Sequence, residues 1–459
     1  MNPAVPPTLY VWMLAGRAPP RLIGQLHRLQ NGDVSLTYCA AWIASGFALS
    51  ADLPLSPNEY RPRHRRQRET AAPGALDDAR PDAWGEKVIR VLYRSLYRPR
   101  GRDLLDLLYF TGDQRFGALG ISASDTAYTP FHSRPLPRLE DAQRISDVAG
   151  RIEAGSALTA VQHALAAAAA SLGGAKPKAV IAINGEQWVL KLFNGEPVDL
   201  PLAEHASMTL AAKAGIHAAE TMPVRLASEH AVAVKRFDRM LERSVPGAVG
   251  GNTPPSVEHR LHCISAATVL RAETPEGVEP RYGYPHLARV LRRFADARTV
   301  DAQLLDLFRR MVFNILIGNT DDHEKNHALI VRISGAQPTL ELAPAYDVVP
   351  TGSGATRHEF LIGEESHEPS LPDAIEGCAH FGLTPRRAAL ETAAVIAAVN
   401  TWQDHFRACG VSRHDIAELG AVIDRADLLQ ARTGFNLDDY PDTAAAAKRR
   451  ARRPGNPFL

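Results

Sequence analysis

Between Phe313 and Val349 the chain reads FNILIGNTDDHEKNHALIVRISGAQPTLELAPAYDVV, which crowds Asp321, Asp322, His323, Glu324, Asn326 and His327 between two apolar segments. A lone carboxylate, Asp347, follows after a hairpin-like excursion. Two chemistries fit these residue types, and they exclude each other. In phosphoryl transfer, Asp321 and Asn326 have the D-x-x-x-x-N spacing in which the Asp handles a substrate hydroxyl and the Asn holds magnesium. Asp347 would then be the second metal carboxylate, and magnesium needs few protein oxygens because it keeps waters and substrate phosphates. In zinc hydrolysis, His323-Glu324-Lys325-Asn326-His327 is H-E-x-x-H, with two imidazoles on one helix face, Glu324 as general base and a third ligand such as Glu341. A capped loop of solvated charges is the bland alternative.

The elements around the cluster bear on the choice. Leu304, Leu305, Phe308, Met311, Val312, Ile315 and Leu316 recur at helical spacing, and Gly318-Asn319-Thr320 stops that helix. ALIVRI after His327 is short and β-branched, as in a strand. The motif therefore sits more naturally in a helix-to-strand loop than inside a helix. Upstream, Ala179–Ile183, Asn184-Gly185 and Gln187–Phe193 predict a β-hairpin. Its second strand carries Lys191 within the apolar run VLKLF. Such a lysine either snorkels from an edge strand or points into a cleft to meet phosphates.

Just before the hairpin, Ser171-Leu-Gly-Gly-Ala-Lys-Pro-Lys178 follows an Ala-rich helical stretch, Glu140–Ala170. This segment is either a helix stop or a loop whose backbone N–H groups cradle phosphates. Glu204, in the next predicted helix, is either a partner for Lys191 or an exposed helical residue. Ala231–Phe237 reads as an apolar strand running into Asp238, suited to a hinge whose backbone meets an adenine edge or simply to the core. His259–Leu270, Tyr284–Phe294 and Pro385–Ala431 read as helical, and Thr351–Pro372 as a polar loop. The first residues, from Leu9 to Leu26, predict two strands about a Gly16–Pro20 turn. They open a small α+β module that ends in a loop around Ser122–Pro137.

With 459 residues, 45% of them hydrophobic and 22% charged, the chain is long enough for two or three domains with a sizeable core. A net charge of +1 argues against a protein that grips nucleic acid over a broad surface. Cys39, Cys263, Cys378 and Cys409 are far apart, which suggests neither a disulfide framework nor a cysteine zinc site and fits a reducing cytoplasm. No signal peptide or membrane span is expected. The basic Tyr60–Pro73 stretch and the KRRARRPGNPFL tail are read as solvated segments, with an acidic or anionic partner as the functional alternative.

Five motifs together resemble the HipA-like serine/threonine kinases, toxins of bacterial type II toxin–antitoxin systems. They are the Ser171–Lys178 loop, VLKLF with Lys191, VKRFDR (Val234–Arg239), NTDDHEKN (Asn319–Asn326) and LAPAYDVVP (Leu342–Pro350). Their order and spacing match too, and the resemblance covers most of the chain. It implies an α+β protein: a small N-terminal domain over residues 1–135, then a bilobal kinase-like domain over 136–440. Its N-lobe would span about 136–240 and its mostly helical C-lobe about 256–440, with a basic tail at 441–459. It implies ATP and Mg²⁺ as cofactors. Asp321 would be the catalytic residue, with Asn326 and Asp347 on the metal. Lys191 would contact the ATP phosphates, and Gly173, Gly174 and Ala175 would belong to the glycine loop. Phe237 and the backbone near Lys235 would line the adenine pocket, with Asp238 beside them. Ser171 matches the serine that such kinases autophosphorylate. The implied partners are a small helix-turn-helix antitoxin, DNA only through that antitoxin, and a protein substrate such as an aminoacyl-tRNA synthetase or another translation component. The rivals are the zinc hydrolase and a non-catalytic, kinase-shaped partner of a DNA-binding antitoxin.

Overall fold

The computed structural model describes residues 5–63, 70–93, 104–170, 174–193, 195–242, 257–333, 337–351 and 356–441. Ser171, Gly173, most of the Arg-rich stretch near residue 65 and the basic tail lie outside them. The chain forms two compact units, Met1–Pro201 with Ala219–Pro280 and His327–Pro344, and Leu202–Ala218 with Arg281–Asn326 and Ala345–Leu459.

Every strand of the described residues lies in the first unit. The expected N-terminal hairpin is β1 (Thr8–Met13) with β2 (Arg21–Arg28), extended by β3 (Val34–Tyr38), β4 (Glu59–Tyr60) and β5 (Leu119–Ser122). They form a five-stranded sheet in the order β4-β3-β2-β1-β5. A second sheet holds β6 (Lys178–Ile183), β7 (Glu186–Leu192), β8 (Thr221–Arg225) and β9 (His230–Lys235), in the order β6-β7-β9-β8. The β6–β7 turn is made by Asn184 and Gly185 at φ 52° and 82°. That is the left-handed pair a two-residue hairpin requires, and Asn-Gly supplies it at little steric cost. Trp84, Val88 and Ile89 of the helix Ala83–Leu92 share one buried cluster with Ile145, Val148, Ile181, Trp188 and Leu190. The N-terminal helices and the second sheet thus have a common core.

A buried ionic cluster crosses the same seam. The Asp238 carboxylate, 3% exposed, accepts from Arg236 at 2.9 and 2.7 Å, from Arg239 at 2.9 Å and from the Gly117 amide at 2.8 Å. The two arginines reach on to the carbonyls of Gln114, Arg115 and Gly117. Burial alone would raise the Asp238 carboxyl, but Arg236 and Arg239 hold it well below the usual carboxylate range.

Two short sheets complete the unit: β10 (Arg239–Glu242) with β11 (Val257–Arg260), and β12 (Cys263–Ser265) with β13 (Ala328–Arg332) and β14 (Thr339–Leu342). Here the expected helix over His259–Leu270 is corrected: only Ala266–Glu273 is helical. Arg260 pairs with Arg239, and Cys263 pairs with Ile330. These are long-range ladder bonds that local periodicity does not register.

The second unit is helical among the described residues, around Val300–Ile317. Gly318 ends that helix at φ 67°, and a Cβ there would lie 2.8 Å from Val422 Cγ1, so both the backbone and the packing call for glycine. No described helix is long and apolar enough to cross a membrane.

Removing the Asp238 charge would take the carboxylate from buried Arg236 and leave buried Arg239 only its longer contact to Glu258 at 3.6 Å. Asp238→Asn is therefore expected to lower stability by about 3–5 kcal/mol, read as a lower guanidinium midpoint with an unchanged slope. A shift under about 1 kcal/mol would show the cluster to be dispensable.

Candidate active site

In the helical unit, the long helix delivers the chain into the loop Thr320–Asn326, and that loop is braced from several directions. The Asn319 side-chain amide donates to Asn314 Oδ1 at 3.2 Å, and the Asp321 amide donates to Thr351 Oγ1 at 3.4 Å. Glu359 N–H donates to the Thr320 carbonyl at 3.1 Å and Phe360 N–H to the Asp322 carbonyl at 2.8 Å. The two adjacent aspartates then separate. Asp322 is 2% exposed and accepts from the Tyr284 hydroxyl, while Asn314 Nδ2 donates to that same hydroxyl at 2.9 Å. Burial first, and the Asp322 charge second, push the Tyr284 hydroxyl well above its ordinary value, so it remains a proton donor. Asp321, by contrast, is exposed to solvent. One carboxylate anchors the loop and the other is presented.

Asn326 is almost buried, and its Nδ2 donates to the Asp321 carbonyl at 3.3 Å, which leaves the amide oxygen as its acceptor. Tyr346 Oη donates to the Lys325 carbonyl at 2.6 Å, which ties the residue before Asp347 to the residue before Asn326. Asp347 has φ 59°, a left-handed conformation that an Asp adopts at a cost of order 1 kcal/mol. One amide oxygen and one carboxylate suit a hard cation that retains waters and takes its other ligands from a substrate. No group of three or more His, Cys, Asp or Glu side chains is gathered as a metal cage among the described residues.

The zinc reading is corrected on geometry. Glu324–Asn326 is a single 3-10 turn, and Ala328 already begins β13, so the H-E-x-x-H residues do not share a helix face. Glu341, its third ligand, is engaged by Arg332 at 2.6 and 3.1 Å.

In the first unit, Lys191 lies on β7, an interior strand paired to β6 at Lys178 and to β9 at Val232. Snorkelling from an edge strand is thereby removed. Its neighbours Leu190 and Leu192 belong to the buried cluster, so strand alternation puts Lys191 on the opposite face, where it is 8% exposed. Gly174 has φ +89°, and its N–H donates to Asp82 Oδ2 at 3.2 Å. Ala175 and Lys176 are exposed. The Lys176 ammonium pairs with Glu196 at 2.7 Å and lies 4.6 Å from the Phe193 ring centroid. Lys235 N–H donates to the Glu220 carbonyl, and its ammonium bridges Glu186 and Glu220 at 2.9 and 3.3 Å. Phe237 is half-buried, edge-on to Phe116 at 6.1 Å. Asp238 has both carboxylate oxygens engaged by Arg236, Arg239 and Gly117, so it acts here as a tie between segments.

Glu204, in the helix Leu200–Lys213, is fully buried, so the exposed alternative does not hold. Sequence reasoning did not find Tyr284, whose only local signal is an apolar position at a helix start. Nor did it find Asp82, which looks like a routine helix cap.

Tyr284→Phe keeps the ring and deletes the bond to a buried carboxylate. It is expected to cost about 2 kcal/mol in chemical denaturation and to speed amide exchange across residues 319–326. Unchanged stability and exchange would show that Asp322 does not depend on Tyr284.

Comparison with known proteins identifies the family. The HipA N-terminal domain family matches residues 15–122 and the HipA-like C-terminal domain family matches residues 170–403. Two Sinorhizobium fredii proteins are similar. Y4dM is 32% identical over 181 residues, and that match spans only 38% of its length and 37% of this chain. Y4mE is 25% identical over 72% of this chain and 75% of its own. The Shewanella oneidensis serine/threonine-protein kinase toxin HipA is 24% identical, with 72% of each chain covered. A solved structure of HipA from that organism, in a complex with HipB and operator DNA, matches with a TM-score of 0.63 at 18% identity. That match covers 95% of this chain and 99% of the other. By fold, and by a family match to more than half of its length, the chain belongs to the HipA-like family.

Proposed function

We propose that this chain is an ATP- and Mg²⁺-dependent serine/threonine protein kinase and the toxin of a toxin–antitoxin pair. The observation that carries the reading is the divided aspartate pair: Asp322 is buried on Tyr284, and Asp321 is exposed in a loop braced by Thr351, Glu359 and Phe360. Asp321 orients the substrate hydroxyl and receives its proton. Lys191, an ammonium on a rigid interior strand, meets the nucleotide phosphates. Asn326 and Asp347 hold the metal, which neutralises charge on the transferring phosphoryl group when bound. Phe237 and the Lys235 backbone take the adenine. Little covalent chemistry is left to the protein, so rate comes from positioning and fixed electrostatics.

The family supports further roles. Ser171 in the glycine loop, with Gly173, Gly174 and Ala175, is a self-phosphorylation site. The partner is a small DNA-binding antitoxin, by analogy with the HipB and operator DNA bound to the Shewanella HipA. The substrate is a protein of the translation machinery.

Two measurements separate the roles. Asn326→Ala and Asp347→Ala should each weaken the Mg²⁺-dependent part of binding to a fluorescent, non-hydrolysable ATP analogue by at least about tenfold. Asp321→Asn should bind that analogue as wild type does, yet lose about 10²–10⁴-fold in turnover. Wild-type turnover in Asp321→Asn would overturn the assignment.

A further inference from the structure

The helix Ala83–Leu92 begins at Asp82, a residue type favoured at helix N-termini because its carboxylate accepts from the amides of the first turn. Here it makes no such bond to its own helix. Its Oδ2 accepts instead from Gly174 N–H, 92 residues away, at 3.2 Å. Two residues on, Trp84 N–H donates to the Gly174 carbonyl at 3.2 Å, so one short stretch of the N-terminal module answers both backbone groups of Gly174. The Trp84 indole N–H then donates to the Lys178 carbonyl at 3.0 Å, and the indole itself is locked in the buried cluster. The bracket therefore spans Gly174 to Lys178, the stretch that leads from the glycine loop into β6. Gly174 is at φ +89°, and a Cβ there would lie 2.4 Å from Lys178 Nζ, so the lysine packs against the glycine itself. Within the loop, the exposed Lys176 is held among the described residues by a surface ion pair and a ring contact.

We infer that Asp82 and Trp84 are positioning residues for the Gly174–Lys178 stretch of the proposed phosphate-binding loop, through which the N-terminal module sets the affinity of this chain for a nucleoside triphosphate. The inference rests on the kinase reading above. Electrostatics alone argues the other way: a carboxylate beside a loop meant for anions repels them, so deleting it should tighten binding. If positioning governs, deletion weakens binding, because a loop without its anchor must be ordered when the ligand arrives. The sign of the effect decides between the two.

The test uses the full chain and a fluorescent, non-hydrolysable ATP analogue with Mg²⁺, beside hydrogen exchange of residues 174–178 without nucleotide. Asp82→Ala should raise the Kd about five- to tenfold and speed exchange at those amides. Asp82→Asn keeps the acceptor and drops the charge, so it should bind as wild type or tighter. Trp84→Phe keeps an aromatic side chain and the backbone N–H but deletes the indole N–H to Lys178, and should raise the Kd about threefold. A purely structural role for Asp82 would lower Tm in both Asp82 variants and leave the Kd unmoved in each, which would overturn the inference. So would equal or tighter binding by Asp82→Ala. Faster exchange in Asp82→Ala, together with a wild type that does not bind the analogue, would locate the failure in the kinase reading and not in the anchor.

Discussion

A carboxylate removed from water must be matched, and the Tyr284 phenol is a partner of Asp322. Tyr284 donates to it, Asn314 of the long helix donates to Tyr284, and the helix is closed one turn later by Gly318. This chain of bonds gives the Thr320–Asn326 loop a single register. With Asp322 turned in, its neighbour Asp321 is turned out, and Asn326 comes to rest with its amide N–H on the Asp321 carbonyl. The backbone bonds from Glu359 and Phe360 close the other edge of the loop. A partly satisfied network of this kind would be worse than an apolar one, so the exposure of Asp321 depends on the buried anchor beside it.

The first unit works by a similar rule at its own seam. Asp238 joins Arg236 and Arg239 to the Gln114–Gly117 segment of the N-terminal module, and Asp82 and Trp84 hold the far side of the glycine loop. Both ties run from residues before β5 to residues that flank β6 or follow β9. The N-terminal module is thus part of the scaffold that carries β6, β7 and β9. This gives a physical reason for the two matched families to occur in one chain.

Much of this was legible in the sequence wherever the signal was local. Asn184-Gly185 marked a hairpin because few other pairs tolerate two left-handed residues in succession. Gly318 marked a helix end for the same reason, whereas the VLKLF run left Lys191 between an edge strand and a cleft until β9 was seen to pair beyond it. What stayed hidden depended on distant partners. Nothing local distinguishes Asp321 from Asp322, since their difference is whether Tyr284 reaches them. Asp82 reads as a helix cap until Gly174 is seen beside it. His259–Leu270 reads as helical until β10 and β13 arrive to pair with its first half. The strand after H-E-x-x-H, by contrast, was legible in ALIVRI and already told against a zinc helix. Asp238 carried the motif of a nucleotide hinge, yet its carboxylate is wholly committed to two arginines and a backbone amide.

The central claim is that the loop around Asp321 transfers phosphate. The most direct measurement is the intact mass of the purified chain after incubation with Mg-ATP, with Ser171→Ala alongside. One added phosphate is expected on the wild type and none on Ser171→Ala. A wild type whose mass does not change under those conditions would contradict it.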